Sequence, residues 1–324
     1  MCNKNEIIVT GINGFVGEHL AHHLHDSSFS VTGIGREITP SPNVAPYLDN
    51  YRQVDLLKKD QVDGLFLQSA AAIIHLAGLA SVAESFNKPD LYKSGNAEMT
   101  RNLLDTATKQ GFNGRMVAIS TGALYDSNQN MPLNETSKII ESSPYTLGKI
   151  RAEKVIKQHG ANGLDVVIAR PFNHIGPGQG GGFLVADLYD QLIAAQSAGN
   201  TNIMVGNLAT KRDYTDVRDI VTAYADLATA ESLAYDTYNI ASGSSLSGYE
   251  ILACLQNLLN LESIKPKVDQ SRVRPTDAID IIGDATRLRK ELSWKTSSSP
   301  ELAIKDFVAR RKAEANETSE TLAA

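Results

Sequence analysis

The sequence of 324 residues predicts an α/β fold, a doubly wound parallel sheet followed by a smaller C-terminal domain. Three observations predict it. Short β-rich runs alternate with amphipathic helical stretches from Glu6 to Ala169. Gly11, Gly14 and Gly17 stand directly between the first such strand and the first helix, and beyond Arg170 the texture changes to glycine and proline, then to helices separated by short strand-like pieces. A chain of this length can bury a substantial core and suits one large or two closely joined domains. Its formal charge of -6 argues against a broad nucleic-acid surface. With two cysteines, Cys2 and Cys254, no apolar run long enough to span a bilayer and no signal-like start, a reducing, cytoplasmic setting away from membranes is expected.

Glu6 to Thr10 is the first strand, and Gly11-Ile12-Asn13-Gly14-Phe15-Val16-Gly17 opens a helix with Val16, Leu20 and Leu24 on one side. Gly11 permits the tight turn, Gly14 lets the backbone approach a pyrophosphate, and Gly17 allows close helix–strand packing, while the helix N-terminus offers unpaired N–H groups to the anion. The stretch, Phe15 and Val16 included, is therefore a dinucleotide-binding candidate, and the sheet is expected to be Rossmann-like. The same helix carries His19, His22, His23 and His25. No cysteine or carboxylate cluster nearby closes a zinc site, so a solvated histidine face is expected and no metal.

Phe29 to Gly35 is the second strand, ending in Gly35-Arg36-Glu37. An acid about twenty residues past the glycines accepts the ribose hydroxyls of NAD, whereas an arginine accommodates the extra phosphate of NADP. Arg36 comes first, which favours NADP(H) over NAD(H). A loop with Pro40, Pro42 and Pro46 leads to a third strand, Tyr51 to Leu56, that brings Asp55 and Leu56 to the adenine side. Ala71 to Leu76 is an almost continuous apolar run, as a strand covered on both faces should be. Leu76, Ala77 and Gly78 at its end let the backbone pass close to a ligand, and Ser81 and Ser85 can face the same crevice or simply cap the loop.

Asp90 to Gly111 has helical periodicity, Arg115 to Ser120 is a fifth strand and Asp165 to Ala169 a sixth. Between these last two lies Ser143-Pro144-Tyr145-Thr146-Leu147-Gly148-Lys149. Ser143 can cap a helix and Pro144 suits its first position, so the Tyr145 phenol and the Lys149 ammonium leave one face four residues apart. A cation beside a phenol favours the phenolate, which makes the pair a candidate general acid/base near neutrality. The expected division is residues 1–170 as the dinucleotide-binding domain, with 214–240 returning to it, and 171–213 with 241–324 as the second, ligand-shaping domain. Helices are expected at about 183–198, 248–260 and 299–314, and a frayed tail from Glu314 to Ala324.

At Ser120-Thr121-Gly122-Ala123-Leu124-Tyr125 the chain comes to resemble the extended short-chain dehydrogenase/reductases. The resemblance implies that Thr121 polarises a carbonyl oxygen beside the Tyr145 phenol, and that Thr121, Tyr145 and Lys149 are catalytic. Tyr145 and Lys149 then also touch the cofactor. The second half resembles the GDP-6-deoxy-4-keto-hexose reductases, and the related GDP-mannose dehydratases, through Arg170-Pro171-Phe172-Asn173-His174-Ile175-Gly176-Pro177-Gly178-Gln179, Gly206-Asn207-Leu208, Lys211-Arg212-Asp213, Asp216-Val217-Arg218-Asp219 and Arg274-Pro275-Thr276. It implies NADPH-dependent reduction of a 4-keto-6-deoxy sugar carried on a nucleotide, GDP being favoured, with a C4 epimerase or 4,6-dehydratase as the alternative.

Phe172 is implied beside the cofactor. Ser81, Thr121, Asn173, Phe183 and Leu184 are implied around the nucleotide sugar. Independently of the family, Arg212 and Arg274 arrive from separate segments and can grip a pyrophosphate bidentately. Arg218 and Asp219 are expected to pair with structure, and His174 to be a hydrogen-bonded structural residue. The dehydratases carry a glutamate where this chain has Ala123, and a methyl group cannot move a proton. The reductases often have an acid at or near that place too, and the family's usual Tyr-Gly is Tyr125-Asp126 here. A homodimer through the Asp90 to Gly111 and Pro144 to His159 helices is implied by the resemblance.

Overall fold

The computed structural model describes residues 6–273 and 278–323. Alternation of strand and helix begins at once. β1 (Glu6–Thr10) leads to α1 (Phe15–Asp26), β2 (Ser30–Gly35), β3 (Asn50–Gln53), α2 (Lys59–Asp63), β4 (Ala72–His75), α3 (Val82–Asn87), α4 (Pro89–Lys109), β5 (Arg115–Ile119), α5 (Pro144–Ala161) and β6 (Val166–Pro171). The rest of the chain forms β7 (Asn173–Ile175), α6 (Leu184–Ser197), β8 (Asn202–Val205), β9 (Lys211–Asp216), α7 (Val217–Thr229), β10 (Thr237–Ile240), β11 (Ser245–Ser247), α8 (Gly248–Leu259), β12 (Lys265–Val268), β13 (Asp280–Ile281), α9 (Thr286–Leu292) and α10 (Pro300–Ala323).

Seven strands form one sheet in the order β10-β6-β5-β4-β1-β2-β3, with every pairing parallel. Strand order reverses at β1 and β4, so a crevice opens at their C-terminal ends. Side-chain alternation builds two cores, one on each face. Ile7 and Val9 join Leu20 and Leu24 of α1 and Ile220 and Tyr224 of α7. Ile8 and Ile73 join Leu103 and Leu104 of α4 and Val155 and Ile156 of α5. Sheet and helices on both sides are those expected from the alternating pattern.

A separate core gathers α6, α8 and α10 around Leu188, Leu192, Leu255, Ile304 and Phe307. Smaller sheets edge this cap: β9 takes β11 antiparallel, β13 parallel and, along its C-terminal half, β7 parallel, while β8 pairs with β12. The chain crosses back into the large sheet at Thr237–Ile240, which pairs with β6.

Two boundaries differ from expectation. The third strand stops at Gln53 because the Asp55 carboxylate accepts from Leu57 N and Gln61 Oε1 accepts from Asp55 N, which turns the chain into α2. The stretch expected to fray instead continues α10 as far as Ala323, with Arg310 pairing with Glu314 one turn on.

Candidate active site

Three loops meet at the sheet's C-terminal edge. Gly11 follows β1 with φ +72°, and a Cβ there would lie 2.7 Å from Ala77 N, so the loop after β1 packs directly on the loop after β4. At Gly17 a Cβ would come within 2.7 Å of Gly11 O. Gly14 is different: its only close neighbour is Gly11 O at 3.2 Å, leaving space over the start of α1. No side chain caps that helix, and its first N–H groups are available to an anion. Turn, opening and close packing fall on Gly11, Gly14 and Gly17 in that order, and the loop fits a dinucleotide's pyrophosphate.

At the end of β2, Asn13 Nδ2 donates to Glu37 Oε2 at 2.9 Å and to Tyr51 Oη at 3.3 Å. The Asn13 bond holds the Glu37 carboxyl below its usual range. Arg36 beside it is exposed, and its carbonyl accepts from Gln53. Asp55 folds back on its own loop, and Leu56 is a core residue whose carbonyl accepts from Asn102. The turn Leu76-Ala77-Gly78 is held by Thr10, which takes Ala77 N on its hydroxyl, and by Asn96, which accepts from Leu79 N and donates to Leu79 O. Sequence gave no signal for Asn96, since it sits inside the periodic α4.

Ser143 and Thr146 form a capping box that starts α5, with Pro144 at its first position. Gly148 brings α5 onto α4, for a Cβ there would run into the Tyr92 carbonyl. The helix thereby buries Tyr145 and Lys149 together. Burial pushes the Tyr145 phenol above its usual value, while its hydrogen bond with Thr121 pulls the other way. The sequence expectation had Lys149 drawing the phenol down; the direction here is upward, because burial outweighs the Thr121 bond. Lys149 donates to Ile119 O at 2.8 Å, and burial lowers it to about 8, with Glu153 one turn further on opposing. His75, bridged between the Thr10 and Thr100 hydroxyls, is lowered to about 3 by burial and by Lys149.

Thr121 begins the turn after β5, and Ala123 is exposed two residues on. Phe172 packs on Gly122 and stacks with Tyr125, so its ring lies under the Thr121 turn. On the cap side, Asn173 hydrogen-bonds the Tyr214 phenol and the Arg212 guanidinium acts on the same group, an arrangement that no spacing signalled. Arg212 itself donates to Lys211 O and Ala278 O. Phe183 is exposed at the start of α6, and Leu184 leans on the cap core. Ser81 caps α3 by accepting from Glu84 N, and Ser85 donates to Val82 O. Arg274 lies outside the described residues.

The remaining candidates have structural partners. Arg218 pairs with Asp216 and Asp306, and Asp219 accepts from Ser297 and Ser298. His174 bonds to Phe172 O and stacks on Phe15, whose edge meets His19. Among the described residues no group of three or more histidines, cysteines and carboxylates is placed to hold a metal ion.

A family model described as the NAD dependent epimerase/dehydratase family matches residues 7–241. The chain belongs to that family. Its site is accordingly that of an NAD(P)-dependent extended short-chain dehydrogenase/reductase acting on nucleotide sugars. A GDP-6-deoxy-D-mannose reductase of Pseudomonas aeruginosa is 31% identical over 92% of this chain and 93% of its own length. A UDP-glucose 4-epimerase of Pisum sativum is 27% identical over 94% of this chain and 95% of its own. Among solved structures, RMD from Pseudomonas aeruginosa complexed with NADPH superposes with a TM-score of 0.82 at 28% identity, covering 96% of this chain and 99% of that one. No helix among the described residues is long and apolar enough to cross a membrane.

Proposed function

We propose that the protein reduces the 4-keto group of a GDP-linked 4-keto-6-deoxy sugar with NADPH, giving a GDP-6-deoxyhexose such as GDP-D-rhamnose. The observation that carries this is the Tyr145 phenol, buried and hydrogen-bonded to Thr121, beside a turn where Ala123 supplies no second acid/base. Likeness to the Pseudomonas aeruginosa reductase along nearly the whole chain supports the substrate class.

A bound nicotinamide supplies the hydride. The chain's own part is to orient the ketone and hand over a proton. Thr121 donates a hydrogen bond to the ketone oxygen, polarising it, and the Tyr145 phenol transfers its proton to that oxygen as charge develops there. Lys149, charged below about pH 8 and one turn from Tyr145 on α5, is assigned to stabilising the tyrosinate left behind and to holding the ribose hydroxyls. Gly11 to Gly17 take the pyrophosphate of the cofactor, with Leu76 to Gly78 and Phe172 against its other half. Arg36 favours NADPH, because Asn13 already engages the neighbouring Glu37 carboxylate. Asn173, Arg212 and Arg274 are assigned to the sugar nucleotide's diphosphate, with Phe183 and Leu184 beside its base. The division into residues 1–170 with 214–240, and 171–213 with 241–324, follows the same logic, as does a homodimer through α4 and α5.

NADPH with GDP-4-keto-6-deoxymannose is the decisive assay. Substrate-dependent oxidation of NADPH, with a 6-deoxyhexose identified by NMR, is the expected result; no oxidation by folded protein rejects the reading. The second reading, a C4 epimerase, draws on the similarity to the Pisum sativum enzyme. Interconversion of UDP-sugars without net oxidation, by protein that retains stoichiometric NAD, would select it.

A further inference from the structure

The segment that carries Thr121 is held at both ends by one buried ion pair. Glu153 of α5 and Arg170 of β6 are each 4% exposed. They meet as a fork, Arg170 Nε to Glu153 Oε1 at 2.8 Å and NH2 to Oε2 at 2.6 Å. Each then reaches a second group, and those two groups bracket Thr121. The Ser120 hydroxyl donates to Glu153 Oε1 at 2.6 Å. Four residues past Thr121, the Tyr125 phenol accepts from Arg170 NH1 at 3.0 Å and donates to Asn239 Oδ1 of β10 at 2.6 Å. The Arg170 guanidinium also lies over the Tyr125 ring, 5.2 Å from its centroid.

Placement gives this network its meaning. Glu153 stands one turn after Lys149, so the helix that presents the phenol also carries the carboxylate that grips Ser120. A buried ion pair is weak evidence of added stability, since apolar residues of similar volume often replace one without loss. Its directional bonds are better suited to fixing one element against another. Thr121 itself is only partly buried.

We propose that the Glu153–Arg170 pair is a positioning device for Thr121, gripping Ser120 and Tyr125 so that the Thr121 hydroxyl keeps its place beside the Tyr145 phenol. The inference rests on the assignment of Thr121 and Tyr145 as the proton-transfer pair. Glu153 and Arg170 touch neither ketone nor cofactor in this scheme; they act through Thr121.

Ser120→Ala and Tyr125→Phe each remove one grip while leaving the ion pair intact. In the full-length protein each lowers kcat about tenfold, and the double variant approaches the Thr121→Ala value, while KM and the affinity for NADPH stay within about twofold. Amide exchange read by mass spectrometry rises over residues 121–126 and stays unchanged in the glycine loop. A lower melting temperature with unchanged kcat, or unchanged exchange over 121–126, overturns the proposal. Tyr145→Phe separates the two levels. Full turnover by that variant defeats the reading of the site, whereas an inactive Tyr145→Phe beside fully active Ser120→Ala and Tyr125→Phe defeats only the positioning role. Exchange needs no substrate, so it decides whichever nucleotide sugar proves to be turned over.

Discussion

The face built by β4, β5 and α5 and the face built by the cap differ in what holds their side chains. Tyr145, Lys149 and His75 are all at least nine-tenths buried, and each is tied to protein groups on other elements. Across the crevice Asn173 and Phe183 are exposed, and Arg212 is half-buried on a short strand. The side proposed for proton transfer is thus organised in advance, at the cost of desolvating its own ionisable groups, whereas the cap residues proposed to bind the sugar nucleotide are more open to solvent. Changes on the first face should therefore reach turnover and stability, and changes on the second should reach binding.

The largest effect expected is that of Tyr145→Phe, which removes the proton donor without changing the packing of the ring. A fall in kcat of about a thousandfold, with KM and melting temperature little moved, fits the usual range for a general acid. Steady-state kinetics beside a thermal melt measure it. Retained turnover would break the contrast at its strongest point.

Gly148→Ala comes next. Its Cβ would strike the Tyr92 carbonyl, so α5 must move off α4, and a loss of about 3 kcal/mol in urea unfolding is expected. Gly180→Ala in the cap's glycine-rich loop is the control, since nothing lies within 4 Å of that Cβ. Equal losses at the two sites would erase the difference between the faces.

Acid sensitivity sharpens the same comparison. His75 has its pKa lowered from 6.5 to about 3 in the folded chain. As pH falls below 6.5 the unfolded chain takes up a proton that the folded chain refuses, so His75's contribution is complete above 6.5 and drains away toward pH 3. Between pH 7 and pH 5 this amounts to about 2 kcal/mol. His19, His23 and His174 shift in the same direction, so His75→Asn should flatten, without abolishing, the loss of stability seen in denaturation at the two pH values.

How much of this was legible follows the same division. The glycine loop could be read because its chemistry is backbone chemistry confined to seven consecutive residues, and Tyr145 and Lys149 because one helix carries both. Glu153 was within reach, being the next i+4 position after Lys149. What it binds was not, because Ser120, Arg170 and Tyr125 come together only through sheet pairing. Asn96 had no signal in the sequence for the same reason. The upward direction of the Tyr145 shift was not legible because burial sets it, and a sequence displays the neighbouring Lys149 while hiding burial. The residues expected around the nucleotide sugar were the least legible: Ser81, at the end of the large sheet, spends its hydroxyl on the start of α3, and the contact of Asn173 with Tyr214 depends on the register of β7 against β9.

The smallest effect is expected from Arg212. Its guanidinium is oriented by the carbonyls of Lys211 and Ala278, which fixes the direction of the donor fork. A diphosphate gripped equally in ground and transition states contributes uniform binding, so Arg212→Ala should raise KM about tenfold, near 1.4 kcal/mol, and leave kcat almost unchanged. Arg212→Lys keeps the charge but loses the planar fork, and should recover only part of that affinity. The split between KM and kcat is the informative readout. If Arg212→Ala lowers kcat as Tyr145→Phe does, the cap is shaping the transition state and the two faces act as one site.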